Sequence, residues 1–127
     1  MTMAGVPEVA QTTAGDEAAA LTAAACMFRS LGDPSRLALV RHLAVGGEHK
    51  VVELTEHLGL AQSTVSAHLA CLRDCGLATS RPQGRASLWS LTADAELLGV
   101  LAAAERLLAV TGDAVTLCPA YGEGAGR

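Results

Sequence analysis

Apolar residues recur at helical spacing through most of this chain. From Asp16 the run AAALTAAACMFRSL predicts a helix to about Ser30. Asp33 and Pro34 open the next: a short acceptor side chain suits the N-cap, and a ring lacking an N–H suits the first helical position. In that helix, SRLALVRHLA, the residues Leu37, Val40, Leu43 and Ala44 share one side, and Gly46-Gly47 ends it. VVELTEHL reads as a short helix stopped by Gly59, and residues 62–75 as another closed by Gly76. Two short helices about a Gly-containing turn form a helix-turn-helix pattern. LATSRPQGRASLWSL then predicts a β-hairpin whose tip is Arg81-Pro82-Gln83-Gly84-Arg85, turn formers between arginines. TADAELLGVLAAAERLLAV predicts a long helix from about Ala93 to Val110. Its apolar residues wrap most of the way round, which is more than one core contact requires.

These elements make one mainly α domain over residues 15–110 with a small β-hairpin wing. Residues 1–14 read as a frayed tail, and 111–127 as a flexible, Gly-rich tail carrying Cys118. A chain of 127 residues supports one core and little more. Half its residues are hydrophobic, but many are alanine, and Phe28, Trp89 and Tyr121 are the only aromatics. A core of Leu, Val and Ala suits packed helices, and a thin one gains from burying a shared face in a homodimer. The first and last helices are the candidate seam. There is no apolar run of about 18 residues to span a membrane. Nor does the N-terminus resemble a secretory signal, so the expected location is cytoplasmic.

A net charge of -4 argues against nucleic acid until its distribution is read. The acidic excess sits at the two ends. The middle carries Arg29, Arg36, Arg41, Lys50, Arg73, Arg81 and Arg85, a mildly basic block that can meet phosphate if the ends face elsewhere.

At about 100° per residue, residues 62–75 divide into three faces. Val65, Leu69 and Leu72 form a core face. Gln62, Ser63, Ser66, Ala67, Ala70 and Arg73 cover one flank, where short polar side chains let a helix sink into a major groove and read base edges. Ser63 and Thr64 at the helix start also offer donors to phosphate. Arg81 and Arg85 on the wing would grip phosphate or enter the minor groove. Thr64, His68, Cys71 and Cys75 share the other flank. Residues at i and i+4 have Cβ atoms ~5–6 Å apart. Two thiolates on one tetrahedral ion sit roughly 3.8 Å apart, which ordinary rotamers reach. A local disulfide needs a tighter Cβ approach, so the spacing favours a shared metal. Cys118, on the tail beyond the last helix, is the best third sulfur. His68 reads as a structural or DNA-contacting residue rather than a ligand. Cys26, in an alanine-rich helix, reads as a small buried residue.

LGDPSRLALVRHL, ELTEHLGLAQSTVSAHLACLRDCGLA and GRASLWSL resemble the ArsR/SmtB family of bacterial metal-responsive repressors, over about residues 20–110. CLRDCG with a third cysteine past the last helix is most similar to the cadmium- and lead-sensing CmtR branch. The resemblance implies a winged helix-turn-helix homodimer on palindromic operator DNA. It also implies Cys71, Cys75 and Cys118 as ligands to Cd(II) or Pb(II), which would release the repressor. Soft thiolates suit such ions. As(III) in the same fold and thiol oxidation without metal are the alternatives, and Zn(II) would want a fourth ligand. No catalytic set is legible, so no enzyme activity is expected.

Overall fold

A computed structural model describes residues 13–112 and 115–117. Most of the reading of 1–14 as a tail therefore lies outside the described residues. At its inner edge it is corrected, because helix α1 (Ala14–Leu31) begins two residues before Asp16. Thr13 is its N-cap, its hydroxyl accepting from the Asp16 N–H at 3.1 Å. Helix α2 (Pro34–Ala44) starts as expected, with the Asp33 carboxylate accepting from the Arg36 N–H at 3.0 Å. That hydrogen bond, before any other cause, holds the Asp33 carboxyl below its usual range.

A short strand, β1 (His49–Lys50), precedes helix α3 (Val51–Leu58). The Lys50 N–H donates to the Glu53 carboxylate at 3.1 Å, closing one side of a capping box. Gly59 then takes a left-handed φ of 67°, where side chains are disfavoured, and turns the chain into helix α4 (Gln62–Asp74). Strands β2 (Ala78–Gln83) and β3 (Ala86–Leu91) follow, and helix α5 (Asp94–Thr111) ends the domain.

The expected hairpin is part of a three-stranded antiparallel sheet in the order β1-β3-β2. His49 pairs with Trp89 and Lys50 with Leu88. The turn is also tighter than the pentapeptide tip: Gln83 pairs directly with Ala86, leaving Gly84-Arg85 as a two-residue loop. Gly84 supplies the positive φ of 61° that such loops need. Pro82 falls in β2, an edge strand, where its missing N–H is tolerated.

The core is aliphatic, as the composition requires. Leu39, Val40, Leu43, Leu54, Val65, Leu69, Leu72 and Leu101 are at most 2% exposed, and Trp89 closes the sheet side. Leu39 was not on the apolar side assigned to α2. It is buried because α2 meets α1, α3 and β3 and so is covered on more than one side. Past α5 the tail is not free throughout. Leu117 packs against the core cluster, and its N–H donates to the Glu105 carboxylate. Among the described residues no helix is long and apolar enough to cross a membrane.

Three imidazoles gather where α2, β1 and α3 meet. The His42 ring lies tilted against its neighbours, 4.2 Å from His57 and 5.0 Å from His49 between ring centroids. Burial and the two neighbouring rings hold the His42 pKa below the usual imidazole value, with Glu53 acting weakly the other way. The unfolded chain then binds a proton before the folded one does. Stability from this group is complete above the unfolded pKa of about 6.5 and is lost as pH falls through the lower folded value. The urea midpoint is therefore expected to drop on acidification from pH 7 towards 5. His42→Gln should flatten that limb, and an unchanged slope in the variant would remove His42 as its cause.

Candidate nucleic-acid interface and thiol flank

Helix α4 presents three faces, as its sequence indicates. Val65, Leu69 and Leu72 are fully buried. Gln62, Ser63, Ser66, Ala67 and Arg73 are exposed. Thr64, His68, Cys71 and Cys75 are intermediate, on the flank between.

The exposed face meets the wing. Gln62 and Ser66 on α4 line an open trough of about 450 Å³ together with Lys50, Arg85, Ser87 and Trp89. The Arg73 guanidinium lies 5.5 Å from the Trp89 ring centre, a distance for cation–π contact. Lys50 and Arg85 put positive charge at the rim of this trough. The geometry suits a phosphate backbone beside a base-reading helix. Lys50 had been counted in the basic block but not placed beside the helix, and Trp89 had not been assigned a role from the sequence. Lys50 reaches the site through β1, which is too short to leave a periodic signal.

The two wing arginines differ. Arg85 is exposed in the turn. Arg81 lies within β2 and makes a bidentate ion pair with Glu48, at 2.5 and 2.8 Å. That contact keeps the Glu48 carboxyl below its usual range. Arg81 therefore braces the wing against the α2–β1 loop in this structure, and only Arg85 stands at the tip as expected.

The thiol flank of α4 faces the end of α1 and the start of α2, in antiparallel register. Cys75 meets Cys26, Cys71 meets Ser30, and His68 meets Asp33 and Arg36. The Cys71 Sγ is 3.6 Å from the Ser30 Oγ. His68 Nδ1 is 3.5 Å from an Arg36 guanidinium nitrogen, and its Nε2 is 3.8 Å from the Asp33 carboxylate. Arg36 in turn donates to the Ser30 and Arg29 carbonyls, at 2.7 and 3.1 Å, and so caps the end of α1. His68 is thus engaged inside the domain, away from the face that carries Gln62, Ser63 and Ser66.

Cys26 and Cys75 are joined in a disulfide with Cα atoms 6.1 Å apart. This corrects the reading of Cys26 as a small buried residue: it is partly exposed and bonded to Cys75. Helical spacing disfavours a bond within α4, between Cys71 and Cys75. The bond that forms runs between helices, at a Cα distance inside the usual range. Cys71 remains a free, partly buried thiol. Cys118 lies outside the described residues, one position after the anchored Leu117. Among the described residues no three His, Cys, Asp or Glu side chains are placed to hold a metal ion as they stand. The donor chemistry nonetheless suits a soft ion once Cys75 is reduced: two thiolates one helical turn apart, with further sulfur from elsewhere in the chain.

Residues 33–80 match the family described as bacterial regulatory protein, arsR family. The chain is 38% identical over 100 residues to a probable mercury resistance operon repressor of Streptomyces lividans, covering 76% of this chain and 78% of that one. Among solved structures it resembles the cadmium metal-sensor CmtR of Mycobacterium tuberculosis, at 39% identity and a TM-score of 0.51, over 61% of this chain and 81% of that one. It also resembles a homodimeric winged helix-turn-helix DNA-binding domain of Mycobacterium bovis, a possible ArsR-family regulator, at 26% identity and a TM-score of 0.65, over 72% and 86%. With this fold, this match and these relatives, the chain belongs to the arsR family of bacterial regulatory proteins, a DNA-binding regulator rather than an enzyme.

Proposed function

We propose that this protein is a cytoplasmic, metal-responsive repressor that binds palindromic operator DNA as a homodimer and lets go when a thiophilic ion binds. One observation carries the reading: the helix that offers Gln62, Ser63 and Ser66 to DNA packs its cysteine flank directly on α1. Drawing the Cys71 and Cys75 sulfurs onto an ion changes that packing, and with it the angle or stiffness of α4.

The dimer seam is α1 with α5. Leu21 and Phe28 on α1, and Leu107 and Val110 on α5, are more than 60% exposed. Exposed large apolar residues on two helices of one small domain fit a shared interface. A two-fold dimer would place two copies of α4 about one DNA turn apart, ~34–36 Å. Gln62, Ser63, Thr64, Ser66 and Arg73 would contact DNA from α4, with Arg85 on the wing. Arg81 supports the wing, and His68 holds the flank of α4 to Asp33 and Arg36.

Cys71, Cys75 and Cys118 are the proposed ligands. Leu117, next to Cys118 in sequence, donates its N–H to Glu105 of α5 and packs on the core. Three sulfurs suit Cd(II) or Pb(II), with As(III) as the alternative. The relative from Streptomyces lividans adds Hg(II) to the ions worth testing. When bound, the ion supplies only a cross-link between sulfurs. The protein's residues do the rest, by transmitting the shift through Ser30 and α1.

Titrating the reduced protein on a DNA duplex that it has selected from a random pool tests this. Cd(II), Pb(II), Hg(II) and As(III) are added in turn while fluorescence anisotropy follows DNA binding. At least one ion is expected to weaken binding roughly 5–150-fold, and DNA must weaken that ion's binding by the same factor. Unchanged DNA affinity with every ion would sink the proposal.

A further inference from the structure

The bond between Cys26 and Cys75 acts on a sulfur that the metal reading also needs. It joins α1 to the C-terminal end of α4 across 49 residues of chain. Both cysteines are only partly buried, so small thiol reagents can reach them. In this bonded state α4 is continuous from Gln62 to Asp74, its core face is buried, and Gln62, Ser63 and Ser66 stay exposed. Cys71, one turn back, remains a thiol beside Ser30. A sulfur in a disulfide carries no thiolate charge for a soft ion, because the thiolate is the ligand.

We infer that Cys26 and Cys75 form a reversible thiol–disulfide pair whose oxidation switches off the metal response while leaving the DNA-binding surface in place. The inference rests on the proposed ligand role of Cys75. The oxidant is a low-molecular-weight disulfide. The Cys75 thiolate attacks one of its sulfurs, the small S–S bond breaks, and one small thiolate leaves. The Cys26 thiolate then attacks the Cys75 Sγ of the mixed disulfide and expels the second. The protein pair loses two electrons and two protons, and the small disulfide gains them as two thiols. Excess small thiol runs the exchange backwards. A Cys75 thiolate already held by an ion is not free to attack, so metal and oxidation compete for one atom.

The full chain is equilibrated in glutathione buffers of rising oxidised fraction. Alkylation and peptide mass mapping report the thiols, and sulfur-to-cadmium charge-transfer absorbance reports metal. Oxidation is expected to yield the Cys26–Cys75 linked peptide and to reduce cadmium uptake to background, with full recovery on adding reductant. Affinity of the metal-free protein for its selected duplex should not change. Cys26→Ser should take up cadmium when reduced, and in the buffer that silences the original should lose it only in the fraction of chains whose Cys75 carries the glutathione mixed disulfide. Full cadmium uptake by protein carrying the linked peptide would overturn the inference, as would loss of DNA binding on oxidation. Poor uptake by reduced Cys26→Ser would make Cys26 a ligand and overturn it too. If the reduced original binds none of Cd(II), Pb(II), Hg(II) and As(III), the metal reading fails and this gate with it, a case told apart because the linked peptide still forms.

Discussion

Protein carrying Cys71→Ser is expected to hold operator DNA as the unaltered chain does, and to stay there when a thiophilic ion is added. Cys71 is partly buried and touches Ser30 through its sulfur at 3.6 Å. A serine hydroxyl can keep a hydrogen bond to Ser30, so the packing of α4 on α1 survives. What is lost is one of two thiolates on the same helical turn spacing, and a hard oxygen does not replace it for a soft ion. The release factor, roughly 5–150-fold in the original, should collapse to no change. Cys75→Ser should behave alike under reducing conditions, whereas Cys26→Ser should still be released. Anisotropy titrations of the three variants with cadmium, in the presence of reductant, make the comparison. Full release of Cys71→Ser would remove that residue from the site.

The three faces of α4 were legible because each follows from local spacing. Val65, Leu69 and Leu72 recur at helical intervals, and the groove face is what the other residues leave. The Asp33-Pro34 start was legible for the same kind of reason, since a cap is decided by neighbours in sequence. What lay across the chain from these elements was not. The partner of Cys75 is 49 residues away, and no pattern near either cysteine announces it. The ion pair of Arg81 with Glu48 was not legible, because Glu48 comes from a distant loop. His68 was placed on the correct flank, but its contacts with Asp33 and Arg36 depend on how α2 meets α4. β1 is two residues long and is a strand only because β3 lies beside it. These contacts were illegible for one reason: sequence periodicity tells which way a side chain points, and tertiary contact decides what it meets.

Fold and function can be separated on α4 itself, by substituting different faces of one turn. Leu69 is fully buried between the helices and the sheet, so Leu69→Ala removes apolar contact and leaves a cavity that the packed surroundings only partly fill. The expected cost is ~2–5 kcal/mol. That is a large share of the 5–15 kcal/mol typical of a whole domain. For a domain near 100 residues each kcal/mol lowers Tm by ~4–8 °C, so a fall of about 10 °C or more is expected. Ser66, one turn earlier on the exposed face, should behave in the opposite way. Ser66→Ala should change stability by no more than about 0.5 kcal/mol, because nothing buried is disturbed. It should instead weaken binding to the selected duplex, since it removes a group that lines the trough beside Arg85 and Trp89. Thermal melts at one fixed protomer concentration are needed, because a dimer's apparent stability depends on concentration. Melts and anisotropy together should therefore show one variant defective in folding and the other in DNA binding. A Ser66→Ala protein with unaltered DNA affinity would take that residue out of the interface, while a Leu69→Ala protein melting normally would mean that the face assigned to the core is not packed as described.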